Sequence, residues 1–91
     1  MRGLGAARLA PLGRLRPPQQ DTLAQTLLAW LQNAGNARQT ARHLHVHPQT
    51  VRYRLRQLHD LFGEVLLEPD GRFDLEIALR ARRLLSRAGG A

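Results

Sequence analysis

Apolar residues recur at helical spacing four times along the chain, and a stop or turn signal separates each recurrence from the next. Leu23, Leu27, Trp30, Leu31 and Ala34 fall on one face of a helix that runs into Gly35. Ala37, Ala41 and Leu44 make a small apolar face on a short second helix. Val51, Leu55, Leu58 and Phe62 follow the spacing i, i+4, i+7, i+11, a single core-facing stripe that ends at Gly63. Ile77, Ala78, Ala81, Leu84 and Leu85 suggest a fourth helix with its own stripe. The pattern predicts an all-α fold, a small three- to four-helix bundle containing a helix-turn-helix.

Local signals set the expected boundaries. Thr22 and Gln25 have capping-box spacing after Pro17-Pro18, which starts the first helix there. Gly35 suits the left-handed position beyond that helix, and Asn36 with Gln39 suits the start of the second. His45-Val46-His47 is the turn, with Val46 plugging the angle between the helices. Pro48 fits the first position of the third helix, where its missing N–H is no loss. Glu68-Pro69-Asp70-Gly71 is a strong turn signal. With Val65, Leu67 and Phe73 flanking it, a short β-wing over 65–75 would follow, and Asp74 can cap the fourth helix.

Composition then changes the picture. The formal charge is +7, from 14 basic residues against 7 acids, and every basic residue is Arg. A basic domain favours polyanions, nucleic acid first. On the third helix, opposite the apolar stripe, stand Gln49, Tyr53 and Arg56, flanked by Arg52 on one side and by Thr50 and Arg54 on the other. The N-terminal turns of the second helix of a helix-turn-helix enter the DNA major groove. Arg binds guanine bidentately there and Gln binds adenine, while Thr and Tyr suit phosphates or a thymine methyl. A solvated arginine face on an ordinary bundle would account for one or two such residues. Three arginines beside helix-turn-helix spacing point to DNA. The residues themselves give as the candidate DNA-binding set Gln49, Thr50, Arg52, Tyr53, Arg54 and Arg56, with Arg38 on the second helix.

The segment LHVHPQTVRYRL, Leu44 to Leu55, resembles the signature of the C-terminal helix-turn-helix domain of PucR/CdaR-type bacterial transcription regulators. The resemblance runs upstream through TLLAWLQNAGN, Thr26 to Asn36, and downstream through Gly63, Pro69, Arg72 and Ile77 to Arg80, covering about residues 21–85. It implies a cytoplasmic DNA-binding output domain attached to a larger sensory region, and, in place of a β-wing, a compact loop over 64–75 leading to the fourth helix, which is the preferred reading. The motif is also similar to the Fis-type helix-turn-helix, and that likeness places His47, Pro48, Thr50, Arg52 and Tyr53 at the DNA. Many helix-turn-helix proteins carry Gly where this chain has His45, a residue that tolerates a left-handed backbone better than most.

The remaining features exclude more than they add. Without cysteine, neither a disulfide framework nor a thiolate metal site is available. His43, His45 and His47 alternate, but alternation converges side chains on a strand and not across a helix end and a turn, so no metal is expected. The sequence holds no Ser-His-Asp constellation, phosphate loop or HExxH pattern, and neither an enzyme nor a cofactor is expected. Aromatic content of 4% leaves few stacking platforms for single strands. No apolar run approaches the ~20 residues that cross a membrane.

Residues 1–20, with four Arg and no acid, read as a flexible linker outside the core. Alternatively, Leu9 to Leu12 resemble the junction that leads to a sensor in the PucR family. Residues 21–88 form the DNA-binding domain. The expected partners are double-stranded DNA, an upstream sensory domain and a second copy in a homodimer. The alternatives are a helical protein-interaction module and a general nucleic-acid or chromosome-architecture binder.

Overall fold

A computed structural model describes residues 8–90, the side chains of 88–90 excepted. Four α-helices lie among them: α1 (Pro17–Gln32), α2 (Ala37–Leu44), α3 (Pro48–Phe62) and α4 (Pro69–Gly90). Two short 3-10 segments, Ala10–Arg14 and Gly63–Leu67, precede α1 and α4. The all-α bundle is the one that the periodicity predicts. No strand occurs among the described residues, so the segment 65–75 carries no β-wing.

The bundle is organised around α1. Leu23, Ala24, Thr26, Leu27, Leu28, Ala29 and Trp30 are all buried, a wider face than one stripe provides. That width lets α1 receive α2, α3 and α4 together. Val51, Leu55, Leu58 and Phe62 of α3 join it in the core, with Leu66 from the second 3-10 segment and Leu75 and Leu79 from α4.

Two expectations at the N-terminal end are corrected. First, α1 starts at Pro17, not after Thr22, which lies inside the helix and donates its hydroxyl to the Pro18 carbonyl at 3.1 Å. Proline presets the helical φ and has no N–H to leave unpaired in the first turn, so the Pro pair opens the helix before the capping-box residues. Second, residues before 20 do join the core: Leu12 is only 3% exposed, and Leu9 and Leu15 pack against the buried cluster. Arg8 adds an ion pair to Asp74 of α4 at 3.0 Å.

The α1–α2 joint closes as a Schellman turn. The Gly35 N–H donates to the Trp30 carbonyl at 2.9 Å and the Ala34 N–H to that of Leu31 at 3.2 Å. The first left-handed position belongs to Ala34 (φ 52°), one residue earlier than the sequence suggests, and Gly35 follows at φ 79°. An L-residue with a Cβ pays about 1–2 kcal/mol in that conformation.

The largest correction concerns α4. Glu68 to Gly71 is not a turn followed by a loop. Pro69 opens α4 directly, the Arg72 N–H donates to the Glu68 carbonyl at 2.9 Å, and Asp74 lies within the helix instead of capping it. Gly71 is there for close approach: a Cβ on it would stand 2.3 Å from the Val65 carbonyl oxygen of the 3-10 segment. The buried face is Gly71, Leu75, Ala78 and Leu79. Of the stripe read from the sequence, only Ala78 belongs to it. Ala81 is exposed, as are Ile77 (52%), Leu84 (62%) and Leu85 (73%). The helix carries two apolar strips, and the core takes the one that Gly71 allows to come close.

Arg72 fastens this region to the scaffold. Its Nε donates to the Leu66 carbonyl at 2.6 Å, and its guanidinium lies 4.9 Å from the centroid of the Trp30 ring. Trp30, 7% exposed, is a core residue as its place in the stripe predicts.

Candidate nucleic-acid interface

The helix-turn-helix is built from α2, three connecting residues and α3. Asn36 caps α2 through its side chain, which accepts from the Gln39 N–H at 2.9 Å. The reciprocal half of a capping box is not needed, because the Asn36 N–H already donates to the Asn33 carbonyl at 3.0 Å. On the buried side of α2, Ala41 is 2% exposed, and Thr40 is fully buried with its hydroxyl donating to the Asn36 carbonyl at 2.7 Å.

The turn is the one that its residues allow. His45 takes the left-handed conformation (φ 58°, ψ 43°) that glycine would otherwise supply. The Val46 N–H reaches back to the Ala41 carbonyl at 3.0 Å, and the Val46 side chain packs against the core. His47 is extended (φ −71°, ψ 145°) and caps α3: its Nδ1 accepts from the Gln49 N–H at 3.0 Å. Pro48 follows at the first helical position. The cap requires a neutral ring with its proton on Nε2, because a doubly protonated imidazole has no acceptor. The sequence places His47 at the site without this role. The signal for it was a side-chain acceptor directly before a helix-opening Pro.

α3 then presents two opposed faces. Inward, Val51 and Leu58 are fully buried and Leu55 and Phe62 are each 9% exposed. Outward, Gln49, Arg52, Tyr53 and Arg56 are all exposed, Tyr53 to 57%. They are organised in pairs one turn apart. Arg52 Nη1 lies 3.5 Å from Gln49 Oε1, and the Arg56 guanidinium stands 5.9 Å from the Tyr53 ring centroid. His47 at the lip of the turn is exposed, whereas Pro48 and Thr50 are half-buried.

Two arginines of the candidate set stand apart from this group. Arg54 turns toward the scaffold and donates from Nη1 to the buried Thr26 hydroxyl of α1 at 3.2 Å. That hydroxyl in turn donates to the Thr22 carbonyl at 2.8 Å. Arg38 is exposed in the first turn of α2. Arg42, not among the candidates, is exposed one helical turn further on. Its i, i+4 spacing from Arg38 was the available clue.

The alternating histidines diverge. His43 contacts the Asn33 side chain at 3.4 Å, His45 occupies the left-handed turn position and His47 caps α3. Among the described residues no group of three or more His, Cys, Asp or Glu is placed to hold a metal, and no helix is long and apolar enough to cross a membrane.

Comparison with known proteins agrees with this architecture. The model of the PucR C-terminal helix-turn-helix domain matches residues 23–81, from the second turn of α1 to the middle of α4. The chain is 37% identical over 68 residues to the purine catabolism regulatory protein of Bacillus subtilis, covering 75% of this chain and 13% of that protein. Uncharacterized proteins of Mycobacterium bovis and Mycobacterium tuberculosis are each 40% identical over 63 residues, covering 69% of this chain and 15% of theirs. The chain thus spans only a small part of the length of these relatives. No solved structure matches. The match extends over more than half of the chain and includes the complete helix-turn-helix, so the chain belongs to the PucR C-terminal helix-turn-helix family.

Proposed function

We propose that this domain binds double-stranded DNA sequence-specifically, as the output element of a bacterial transcription regulator acting in the cytoplasm. The observation that carries this reading is the outward face of α3. Gln49, Arg52, Tyr53 and Arg56 are exposed together, on the side opposite a completely buried stripe and just beyond a capped helix start. A helix held in this way offers its first two turns to the major groove. Arg52, Arg56 and Gln49 then meet base edges and phosphates, Tyr53 packs on a thymine methyl or bonds a phosphate, and His47, Pro48 and Thr50 lie along the backbone. Arg54 belongs to the same helix but serves it from behind, through Thr26. Arg38, with Arg42 one turn on, adds charge from α2.

The relatives are several times longer than the stretch they share with this chain. This supports a regulator in which a sensory region precedes the domain. A single module of this size covers one short half-site, so the proposed functional unit contains two copies.

Fluorescence anisotropy with a labelled duplex tests the DNA reading. The 91-residue chain should bind weakly, with affinity falling ~10-fold or more between low and physiological salt as counterions are released. Competition by scrambled duplexes should be poorer than by the operator. No binding at low salt would overturn the reading. Binding that ignores sequence altogether would leave a general nucleic-acid binder in its place.

A further inference from the structure

A groove on the side of α1 away from α3 carries arginines that neither the fold nor the reading helix uses, and we infer that it holds an acidic segment of a partner protein. Two depressions make the groove. One, of about 330 Å³, lies between α1 and the C-terminal half of α4, with Ala24, Leu28 and Leu79 as its floor and Gln25, Arg83 and Arg87 among its walls. The other, of about 150 Å³, continues it toward the end of α2, where His43 and Leu44 line it. Gln25, Leu28 and Arg83 line both, so the groove runs across α1 from Arg87 to His43. Thr26 and Trp30 of α1 meet α3, at Arg54 (3.2 Å) and at the His59 ring (6.4 Å between centroids). At about 100° per residue, Asp21, Ala24, Gln25 and Leu28 centre roughly 170° around α1 from those two. α4 does not pack against α3. A stiff duplex seated on the outward face of α3 does not bend back around α1 to this groove. Arg82, Arg83, Ser86 and Arg87 also lie beyond residue 81, where the family match ends.

Charge identifies the occupant. Arg82, Arg83 and Arg87 line the groove against one acid, Asp21, and Arg82 already holds that carboxylate at 2.6 Å. Arg83 and Arg87 are exposed and enter no ion pair among the described residues. They stand one turn apart on α4, their Cβ atoms about 6 Å from each other on the same wall. Two carboxylates one turn apart on a partner helix have the same spacing, and a guanidinium–carboxylate pair is among the strong hydrogen bonds. Ser86, Gln25 and Gln32 are exposed beside them and add neutral donors and acceptors. The floor is already covered, Leu28 to 5% exposure, so an apolar partner gains little there and charge decides. No buried polar side chain lines the groove to enclose a small anion, and its open run across three helices suits a peptide chain. The face is separate from α3, so a test without DNA does not depend on the DNA reading.

Nitrogen–proton correlation NMR on the 91-residue chain, titrated with a synthetic helical peptide that carries Glu pairs one turn apart, tests the groove. The peptide should shift the backbone amides of Gln25, Leu28, His43, Arg83 and Ser86 and leave those of Gln49 to Arg56 in place. Arg83→Glu combined with Arg87→Glu should weaken the peptide at least about tenfold. Arg14→Glu combined with Arg16→Glu makes the same change of charge at exposed positions outside the groove, and should weaken it less than about twofold. Circular dichroism melts of both double variants should stay those of the parent. No binding of the peptide would overturn the proposal. Shifts centred on α3, or equal losses from the two double variants, would show only the general pull of a +7 chain on acids and would overturn it too. Displacement of the peptide by duplex would make the groove a nucleic-acid surface instead. The same amide shifts on concentrating the chain without peptide would assign the groove to a second copy, against a separate acidic partner.

Discussion

α3 and α4 are both amphipathic, and the same rule of spacing reads one correctly and misreads the other. In α3 there is a single apolar stripe, so Val51, Leu55, Leu58 and Phe62 have nowhere to go but inward, and the opposite face is left for Gln49, Arg52, Tyr53 and Arg56. In α4 there are two strips. Periodicity alone favours Ile77, Ala78, Ala81, Leu84 and Leu85, yet of these the core holds only Ala78, beside Leu75 and Leu79. The decision is made outside the helix, where the Val65 backbone can approach only the side bearing Gly71. Spacing identifies apolar faces, but close approach decides which one is covered.

The sharpest way to break this comparison is to place a carboxylate on each strip of α4. Leu75→Asp should unfold the domain, because a fully buried, unpaired carboxylate costs several kcal/mol, comparable with the whole stability of a chain this small. Ile77→Asp, two residues away, should leave the melting temperature of the monomer nearly unchanged. On α3, Leu58→Asp should behave like Leu75→Asp. Thermal melts by circular dichroism decide it, and a parent-like melt for Leu75→Asp would reverse the assignment of faces.

Gly71→Ala comes next in size. The added Cβ meets backbone that cannot rotate away, so a loss of about 1–3 kcal/mol is expected. Gly13→Ala meets nothing within 4 Å and should stay within about 0.5 kcal/mol of the parent. Urea titrations of the two variants would sharpen the argument from close approach.

Within α3, Arg52 and Arg54 should separate binding from stability. Arg52→Ala should cost about 1–3 kcal/mol of DNA affinity with an unchanged melt. Arg54→Ala should lower stability by about 1 kcal/mol through its lost bond to Thr26. Its effect on DNA affinity should be smaller than that of Arg52→Ala. Anisotropy and melts on both variants provide the check, and equal losses of affinity would mean that charge alone governs binding. The smallest expected effect is a gain. Ala34→Gly relieves a left-handed alanine and should stabilise the domain by up to about 1 kcal/mol.

Much of this was legible in the sequence because the signals there were local. Asn36 before a helical run, Pro48 after His47, Gly63 after Phe62 and a histidine able to turn left-handed each act within a few residues, and all four occur where the spacing puts them. The outward face of α3 was legible for the same reason. What stayed hidden depends on distant neighbours. Gly71 reads as a turn until Val65 is beside it. Arg54 reads as one more outward cation until Thr26, 28 residues away in sequence, is found beneath it. Leu12 reads as part of a linker until the far end of the bundle takes it in.

The bond between Arg54 and Thr26 has a consequence for recognition as a thermodynamic event. A surface helix held by one apolar stripe is free to roll a little about its own axis, and each side chain at the groove would sample a range of angles. The Arg54 guanidinium, anchored to α1 on the flank of that stripe, opposes this rotation before any ligand arrives. Under the proposed DNA-binding role, the ordering belongs to folding and not to association, so a duplex would meet a surface whose heading is already set.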